Sequence, residues 1–470
     1  MRGRGRSVAG MVTMHSADAA WLRMDRPTNP MVINCLLRFG DRIEPAHLLD
    51  RLQERLVDRF PKFRQRPVGD TLRGMRWEDD PRFDLALHLQ HVALPEPADE
   101  GALRDLVSDL ISTPLDHDRP LWSATLIDGP GDGCALLSRM HHCIADGIAL
   151  ARVMLTLADG ADALPPADRS ARRGVPLPPA LATLAGAATS AAANLAHEAT
   201  VTLVDPRHVG DLAWTAARDA ATIAKFLANP PDPHTPLHDE LGVGQRVAWS
   251  PPLPLAGVRT VAHAFGATIN DVLLAAVTGV LGDHIRAAGA TVPDAIHAMV
   301  PFNLRAASEP LPRELGNRFG LLLLALPVGQ PAPVTRLLEI HRRTHAIKHS
   351  HEGQIAYGIL AAMGTTPSPV EARLIDLFSA KATAVMTNVP GPREPLWVTG
   401  ARLDDVLVWA PSSGSLGLSV SIFSYAGHVT IGFLVNRRLT DDPQPLADGV
   451  MGQLETLAQA TSAGSSAVAG

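Results

Sequence analysis

Apolar positions along the chain follow two spacings, one typical of strands and one typical of amphipathic helices. From Pro30 onward, short apolar runs alternate with segments in which leucines recur every three or four residues. Met31–Phe39 is predicted as a strand, and Glu44–Phe60 as a helix that Pro61 ends. The leucine spacing of Leu103–Ile111 indicates a second helix. The first part of the chain therefore predicts a mixed α/β fold.

The next elements frame the most informative short segment. Leu121–Ile127 and Cys134–Met140 flank the turn Asp128–Gly133, which is rich in Gly, Pro and Asp, so they are predicted to pair as a hairpin. Gly147–Ala158 has the spacing of a helix. The pair His141-His142 therefore lies where a strand passes into a helix, and loops at such positions commonly carry chemistry.

The second half repeats the α/β texture after a Pro- and Ala-rich interruption and resumes at Val258–Phe265. Its further predicted elements are a helix at Asn270–Ala287, strands at Ala295–Val300 and Leu321–Leu326, a helix at Pro333–His349, strands at Ala384–Asn388, Val406–Trp409, Leu416–Tyr425 and His428–Val435, and a helix at Gln444–Ala458. We therefore predict an N-terminal domain over residues 1–160, a helical linker over 161–240 and a C-terminal domain over 241–470.

The composition limits the class of protein and its partners. A length of 470 residues exceeds the usual size of one core, and 46% hydrophobic against 19% charged residues indicates a globular chain. The formal net charge is −6, without a basic block beyond Arg2, Arg4 and Arg6, which argues against nucleic acid as a partner. Three cysteines without CxxC spacing favour reduced thiols and argue against structural zinc. Neither a secretory signal nor a spanning helix is predicted, which favours a cytoplasmic location.

The segment from His141 to Gly147, with the pattern HHxxxDG, carries the candidate chemistry. Histidine can take and return a proton near neutral pH, so it suits the deprotonation of an alcohol that attacks a carbonyl. Asp146 is placed either to orient a neighbouring group or to brace the turn, and Gly147 removes a side chain where backbone bends or approaches a ligand. An arbitrary histidine pair is more often structural, so the functional interpretation depends on context.

That context is a resemblance to a known group of enzymes. HHxxxDG between a strand and a helix, preceded by Pro120-Leu121-Trp122, resembles the CoA-dependent acyltransferase superfamily, which includes chloramphenicol acetyltransferase and peptide-synthetase condensation domains. Further motifs follow in order along nearly the whole chain: Ser16–Met31, Asp116–Trp122, Thr268–Val272, Pro301–Arg305, Gly316–Gly320, Asn388–Pro392 and Ser424–Phe433. With them the chain resembles the bacterial wax ester synthase/diacylglycerol acyltransferase family.

The resemblance implies a fold and a set of roles. The fold would be two chloramphenicol-acetyltransferase-like α/β domains joined by a crossover, with a tunnel between them. His142 would be the general base, His141 a supporting residue, Asp146 an orienting or structural partner and Gly147 a gap beside the reacting centre. The implied reaction esterifies diacylglycerol, fatty alcohols or both to triacylglycerol or wax ester. Long-chain acyl-CoA would be the co-substrate, with no other cofactor, no metal and no acyl-enzyme.

Less specific signals suggest residues around this centre. Asn270 and Ser424 are candidate donors to the oxyanion of the tetrahedral intermediate, although an asparagine at a helix start is equally often only a cap. Two further motifs are expected to shape the tunnel, and their residues are Pro120 and Trp122 in the first, and Asn388, Pro390 and Gly391 in the second. His341, His345 and His349 have a spacing that fits a metal, but a solvated polar helix face is the simpler interpretation.

Two alternatives to lipid esterification stay open from the sequence. One is a superfamily acyltransferase that acts on a polyketide or carrier-bound acceptor, and the other is a catalytically silent lipid-binding protein, against which the intact HHxxxDG counts. Lipid acceptors also imply peripheral association with the inner membrane or lipid inclusions. Leu212–Leu227, with Trp214 and Phe226, is predicted either as a shallow surface-binding helix or as a strap between domains.

Overall fold

The structure is a computed structural model that describes residues 12–70, 74–129, 131–160, 230–303, 311–317, 319–348 and 368–468. Most of the predicted linker, including Leu212–Leu227, and His349 lie outside these described residues.

The N-terminal part contains short strands, one buried hairpin and four α-helices. In chain order they are β1 (Val12–Thr13), α1 (Ser16–Met24), β2 (Val32–Phe39), α2 (Pro45–Leu52), β3 (Gln65–Asp70), β4 (Gly74–Asp79), β5 (Leu89–Ala93), α3 (Glu100–Ser112), β6 (Trp122–Asp128), β7 (Cys134–His141) and α4 (Gly147–Leu155).

The C-terminal part is richer in long strands. Its elements are β8 (Gln245–Trp249), β9 (Leu253–Pro254), α5 (Leu255–Ala264), α6 (Ile269–Ala287), β10 (Ile296–Asn303), β11 (Phe319–Leu326), α7 (Pro333–Lys348), α8 (Ser368–Ser379), β12 (Ala384–Pro390), β13 (Trp397–Val398), β14 (Ala401–Trp409), β15 (Leu418–Tyr425), β16 (His428–Asn436) and α9 (Gln444–Val468).

The strands form two large sheets and one small one. The first large sheet has the order β13-β14-β2-β7-β6-β5, and the second has the order β11-β10-β12-β15-β16-β8, with β9 also paired to β16. The small sheet has the order β1-β4-β3. With helices packed beside both large sheets, this two-domain α/β architecture is the fold that the resemblance implies.

Strand β14 crosses from the C-terminal part into the sheet of the N-terminal part. It pairs antiparallel with β2, with Trp409 opposite Asn34 and Leu407 opposite Leu36. A sequence boundary at residue 240 therefore does not separate the two sheets completely. The crossover ties the two halves together through backbone hydrogen bonds as well as side-chain packing.

Most predicted elements near the histidine pair are confirmed. β6 and β7 form the expected antiparallel hairpin, with Trp122 opposite Met140 and Asp128 opposite Cys134. The helix predicted over Glu44–Phe60 is shorter as an α-helix, because α2 ends at Leu52 and a π-helical turn follows over Gln53–Val57.

An apolar cluster connects the two large sheets. It contains Leu36, Leu137 and Leu407 from the first sheet and Trp249 and Leu434 from the second. Strand β7 is buried at every position, so the segment that leads to the histidines lies in the interior. The histidine pair is thereby carried to the junction of the two halves.

Within the part of the chain that the structure describes, no single helix is long and apolar enough to cross a membrane. Helices α5 and α6 reach the required length and apolarity only together, and they are bent by 98° where they meet. Most of α6 is buried in the protein core, from Asp271 to Gly282.

Candidate active site

His142 lies at the end of the buried strand β7, in the turn that leads to helix α4. Its backbone N–H donates to Met31 O at 2.8 Å, which fixes the turn against the start of β2. A cavity beside its side chain lies between the two halves. The residues that line this cavity include Trp21, His142, Asp146, Gly147, Met299, Leu321, Val385, Asn388 and Ser413.

The hydrogen bonds of the His142 ring determine its tautomer. Its Nδ1 lies 2.9 Å from Asn317 Oδ1, while Asn317 Nδ2 donates to Asp18 Oδ1 and to His142 O, both at 2.8 Å. Because the amide nitrogen is used for these two acceptors, the amide oxygen faces the ring and Nδ1 must carry the proton. His142 Nε2 is therefore the unprotonated, basic nitrogen.

Aromatic packing fixes the plane of the same ring. Trp21 stacks on His142 with ring centroids 4.0 Å apart and an interplanar angle of 13°. Phe319 lies 5.5 Å from the His142 ring and 5.8 Å from the Trp21 ring. The imidazole is held by its face as well as by Nδ1, so its position is set before any substrate arrives.

Burial also sets the charge of His142. Removal from water, with a smaller contribution from His141, lowers the pKa of His142 to about 3. The ring is therefore neutral at neutral pH and its Nε2 lone pair is available to accept a proton.

A buried ion pair lies behind Asn317. Lys62 Nζ donates to Asp18 Oδ2 at 2.9 Å, and the two side chains are 5% and 3% exposed. Lys62 also donates to Ile144 O at 3.2 Å and lies 4.8 Å from the Trp77 ring centroid. The Asp18 carboxylate, which accepts from Asn317, therefore has a cationic partner inside the core.

His141 has different surroundings. Its Nδ1 accepts from the backbone N–H of Cys143 at 3.1 Å, and its Nε2 is 3.8 Å from Asp25 Oδ2. Burial lowers the pKa of His141. Although burial alone would raise it, the pKa of Asp25 lies below its ordinary value because His117, His141 and the backbone N–H of Met31 point at its carboxylate. His141 therefore belongs to a cluster around Asp25.

Asp146 and Gly147 start helix α4 at the cavity wall. Asp146 is the N-cap and accepts from Ala149 N at 2.9 Å, which satisfies one of the free N–H groups of the first turn. At Gly147 an added Cβ would meet only Ile33 Cδ1, at 3.9 Å. The surrounding protein therefore has room for a methyl group there, and the missing side chain leaves space in the cavity.

The two proposed oxyanion donors lie outside the described cavity lining. Asn270 Oδ1 accepts from Asn388 Nδ2 at 2.6 Å, and it is Asn388 that lines the cavity. Ser424 contributes its backbone oxygen to Gly391 N at 2.8 Å, whereas Ser413 lines the cavity.

The residue after Asn270 has a structural position. Asp271 forms a capping box with Thr268 at the start of α6 and also accepts from His341 Nδ1 at 2.8 Å and from Thr344 Oγ1 at 2.6 Å. His341 is thus used to join α7 to α6. Among the described residues no group of three or more His, Cys, Asp or Glu side chains is arranged to hold a metal ion.

The two motifs expected to shape a tunnel have different positions. Trp122 is buried in the N-terminal core, where its Nε1 donates to Phe63 O at 2.8 Å and its ring stacks on His88; Pro120 precedes it and is also buried. Asn388 reaches the cavity and Pro390 ends strand β12. At Gly391 a Cβ would lie 2.5 Å from Ser424 O, so the close approach of two backbone segments requires glycine.

Sequence reasoning assigned no chemistry to four residues that hold His142. Asp18 and Trp21 lie within Ser16–Met31 and Asn317 lies within Gly316–Gly320, two stretches that carried the family resemblance, while Lys62 lies in no motif. For Asp18 and Asn317 the sequence offered one signal, which is that each is a polar residue within a motif. It did not indicate which residue each of them contacts.

Comparisons with known proteins show which proteins this chain is similar to. The profile of the wax ester synthase/diacylglycerol acyltransferase catalytic domain matches residues 14–273, and that of the corresponding C-terminal domain matches residues 315–458. A probable diacylglycerol O-acyltransferase of Mycobacterium tuberculosis strain H37Rv is 31% identical over 456 residues, which cover 92% of this chain and 93% of the relative.

Solved structures share the fold. A wax ester synthase/diacylglycerol acyltransferase from Marinobacter aquaeolei VT8 aligns with a TM-score of 0.66 and 23% identity, covering 96% of this chain and all of that one. The first condensation domain of the CDA synthetase aligns with a TM-score of 0.60 and 18% identity, covering 96% and 97% of the two chains.

Proposed function

Because the chain belongs to the wax ester synthase/diacylglycerol acyltransferase family, and is therefore an acyltransferase, we propose that it transfers a long-chain acyl group from acyl-CoA to the hydroxyl group of diacylglycerol or of a fatty alcohol. His142 is the general base of this reaction. The observation that carries the proposal is the hydrogen bond from His142 Nδ1 to Asn317, which leaves Nε2 unprotonated at a cavity between the two halves.

The reaction proceeds by direct transfer in a ternary complex. His142 Nε2 takes the hydroxyl proton as the oxygen of the acceptor attacks the thioester carbonyl carbon. When the tetrahedral intermediate collapses, the carbon–sulfur bond breaks and Nε2 returns the same proton to the CoA thiolate. The products are an ester and free CoA, and no net proton is released.

The low pKa of His142 keeps the ring neutral before the reaction and favours the return of the proton at its end. A neutral ring is ready to accept at the start, and a buried imidazolium is disfavoured, so it gives its proton readily to the departing thiolate. Burial raises the pKa of the neighbouring Cys143 thiol well above its ordinary value, so this cysteine is a poor nucleophile and a covalent acyl-enzyme is not expected.

The walls of the cavity favour a lipid substrate. Met299, Leu321, Val385 and Ala410 give it an apolar side, and Asn388 and Ser413 give it polar groups. Asn388 and Ser413 are suitably placed to donate to the oxyanion, and Asn270 would contribute by holding the Asn388 amide. Ser424 would act only through the turn at Gly391.

The proposed acceptors partition into membranes and lipid inclusions, so we propose that transfer takes place at a lipid surface to which the protein binds peripherally. Leu212–Leu227, predicted from the sequence either as a shallow surface-binding helix or as a strap between domains, lies outside the described residues.

An acceptor panel tests the proposed function. Thiol release from palmitoyl-CoA is measured with dispersed diacylglycerol, with hexadecanol and without acceptor, and the lipid products are identified by mass. We expect release that depends on one or both acceptors and yields triacylglycerol or wax ester. Release without acceptor that yields free fatty acid, or no release with any of them, would contradict the proposal.

A further inference from the structure

Asp18 and Lys62 form an ion pair that the proposed chemistry does not use directly. Both side chains are almost fully buried. Removing two charges from water is costly, and replacing such a pair with apolar residues is often neutral or stabilising. A buried pair next to the catalytic histidine therefore calls for an explanation other than the stability of the fold.

The pair is one end of a chain of hydrogen bonds that finishes at His142. Lys62 Nζ donates to Asp18 Oδ2 at 2.9 Å, and Asp18 Oδ1 accepts from Asn317 Nδ2 at 2.8 Å and from Asn317 N at 3.1 Å. Asn317 Oδ1 then accepts from His142 Nδ1 at 2.9 Å. Each contact has a donor on one side and an acceptor on the other.

We propose that Asp18 and Lys62 are positioning residues that, through Asn317, hold His142 in the tautomer whose Nε2 is free to act as base. An asparagine side chain can present either its oxygen or its nitrogen to a neighbour. If the Asn317 amide were reversed, its nitrogen would face His142 Nδ1, which would have to accept, and the proton would move to Nε2. That tautomer has no basic nitrogen toward the substrate.

The carboxylate of Asp18 prevents this reversal. A reversed amide would turn its oxygen toward Asp18 Oδ1 and toward His142 O, which are both acceptors, and two hydrogen bonds would be lost. Lys62 holds the Asp18 carboxylate in place, because its ammonium group donates to Oδ2 and offsets the cost of burying that charge. Without Lys62 the carboxylate would lose this partner, and Asn317 would lose a fixed acceptor.

The three groups behind His142 come from distant parts of the fold. Asp18 is on α1, Lys62 is in a 3₁₀ turn at Pro61–Phe63, and Asn317 precedes β11 in the C-terminal part. Trp21, three residues after Asp18 on α1, stacks on the same imidazole. One face of α1 thus controls both the plane and, through Asn317, the tautomer of His142.

A double-mutant cycle tests this inference, which rests on the proposed role of His142 as base. Asp18→Asn and Lys62→Met are combined, so that no unpaired charge is left in the core, and are placed in the native and the Asn317→Ala backgrounds. We expect the pair of substitutions to lower kcat by about tenfold or more in the native background and by less than about twofold when Asn317 is already absent. The KM for acyl-CoA is expected to stay within about twofold, because none of these residues is placed to bind CoA.

The matched control is Asp232→Asn. Asp232 is another fully buried carboxylate, which accepts from His297 Nδ1 and from Thr383 Oγ1 away from the cavity. We expect this variant to lower Tm without a change in kcat. Equal losses of kcat in the two backgrounds, or a lower Tm with unchanged kcat for the Asp18/Lys62 variant, would overturn the inference and assign the pair a structural role.

Asn317→Asp provides a test that does not require the double variant to fold. Aspartate has nearly the same shape as asparagine and keeps an acceptor for His142 Nδ1, but it adds a negative charge. The ionisable groups already near the His142 ring are Asp18, Lys62, His141 and Asp146. We expect the acid limb of the kcat profile to move to higher pH, since a carboxylate favours the imidazolium. A profile that coincides with that of the native enzyme would contradict the contact between Asn317 and His142 Nδ1.

The variant His142→Ala separates failure of this inference from failure of the proposed function. If His142→Ala is inactive while the Asp18/Lys62 and Asn317 variants keep native kcat, the inference fails and the proposed function stands. An active His142→Ala would refute the proposed function itself.

Discussion

The two nitrogens of His142 have separate tasks. Nδ1 is committed to Asn317, and the plane of the ring is fixed by Trp21, so only Nε2 is left to react. His141, one residue earlier, points its Nε2 toward Asp25. The two adjacent histidines thus have different surroundings, because successive side chains at the end of a strand face opposite directions.

The low pKa of His142 has a consequence for stability. An unfolded histidine has a pKa of about 6.5, so between pH 6.5 and about 3 the unfolded chain takes up a proton at this site that the folded protein does not. Stability therefore falls as the pH drops through this range. His142 alone is expected to account for about 2 kcal/mol of the loss between neutral pH and pH 5.

His142→Gln measures this contribution, since glutamine does not titrate. Free energies of unfolding are determined by urea denaturation at pH 7.5 and pH 5.0 for both proteins. We expect the difference between the two pH values to be smaller in the variant by about 2 kcal/mol. Equal differences would show that the pKa of His142 is not lowered in the fold.

Gly147 provides a prediction about space in the cavity. Because a Cβ at this position meets only Ile33 Cδ1 at an ordinary contact distance, Gly147→Ala is expected to keep or slightly raise Tm. The added methyl group would occupy the cavity beside the reacting centre, so kcat/KM for acyl transfer is expected to fall by about tenfold or more. Unchanged kcat/KM would place the substrates elsewhere.

At the scale of elements, the hairpin β6–β7 and helix α4 were predictable because their signals are local. The apolar runs flank the Gly/Pro/Asp turn directly, and the helical spacing of Gly147–Ala158 follows within a few residues. The segment that forms helix α1 was assigned only to a motif of the resemblance and was not predicted as a helix, although it provides Asp18 and Trp21. Its nine residues are too few to show a clear helical period.

The partners of His142 were not predictable from local patterns. Asn317 is 175 positions away in sequence, and its role depends on the docking of the C-terminal part against β7 and α1. Strand β14 was predicted as a strand, but its pairing with β2 in the other sheet depends on the crossover. Tertiary contacts of this kind leave no periodic signal in a single sequence.

The turn after β12 is an element where a single methyl group is expected to matter for folding. At Gly391 a Cβ would lie 2.5 Å from Ser424 O and 2.6 Å from the Phe423 ring, so the strands β12 and β15 would have to separate. Gly391→Ala is expected to lower the free energy of unfolding by about 1–3 kcal/mol. Gly147→Ala is the matched control, and equal Tm values for the two variants would contradict the close approach seen at Gly391.

At the scale of the whole molecule, the proposed catalysis depends on the joining of two halves. The N-terminal part supplies His142 and α1, and the C-terminal part supplies Asn317, Phe319 and the apolar wall of the cavity. The crossover strand β14 and the apolar cluster between the sheets hold these parts in register. The same arrangement gives a base that is buried from water yet adjacent to a cavity.

The most direct test of this account compares ester formation by His142→Ala and His141→Ala at matched protein concentration, with Tm recorded for both. We expect His142→Ala to lose a factor of about 10² to 10⁴ in turnover with palmitoyl-CoA and the preferred acceptor, because the basic nitrogen of His142 at the cavity is gone. His141→Ala is expected to lose less, because its ring is turned toward Asp25. Native turnover by a folded His142→Ala protein, or equal losses in the two variants, would contradict the assignment of His142 as the base.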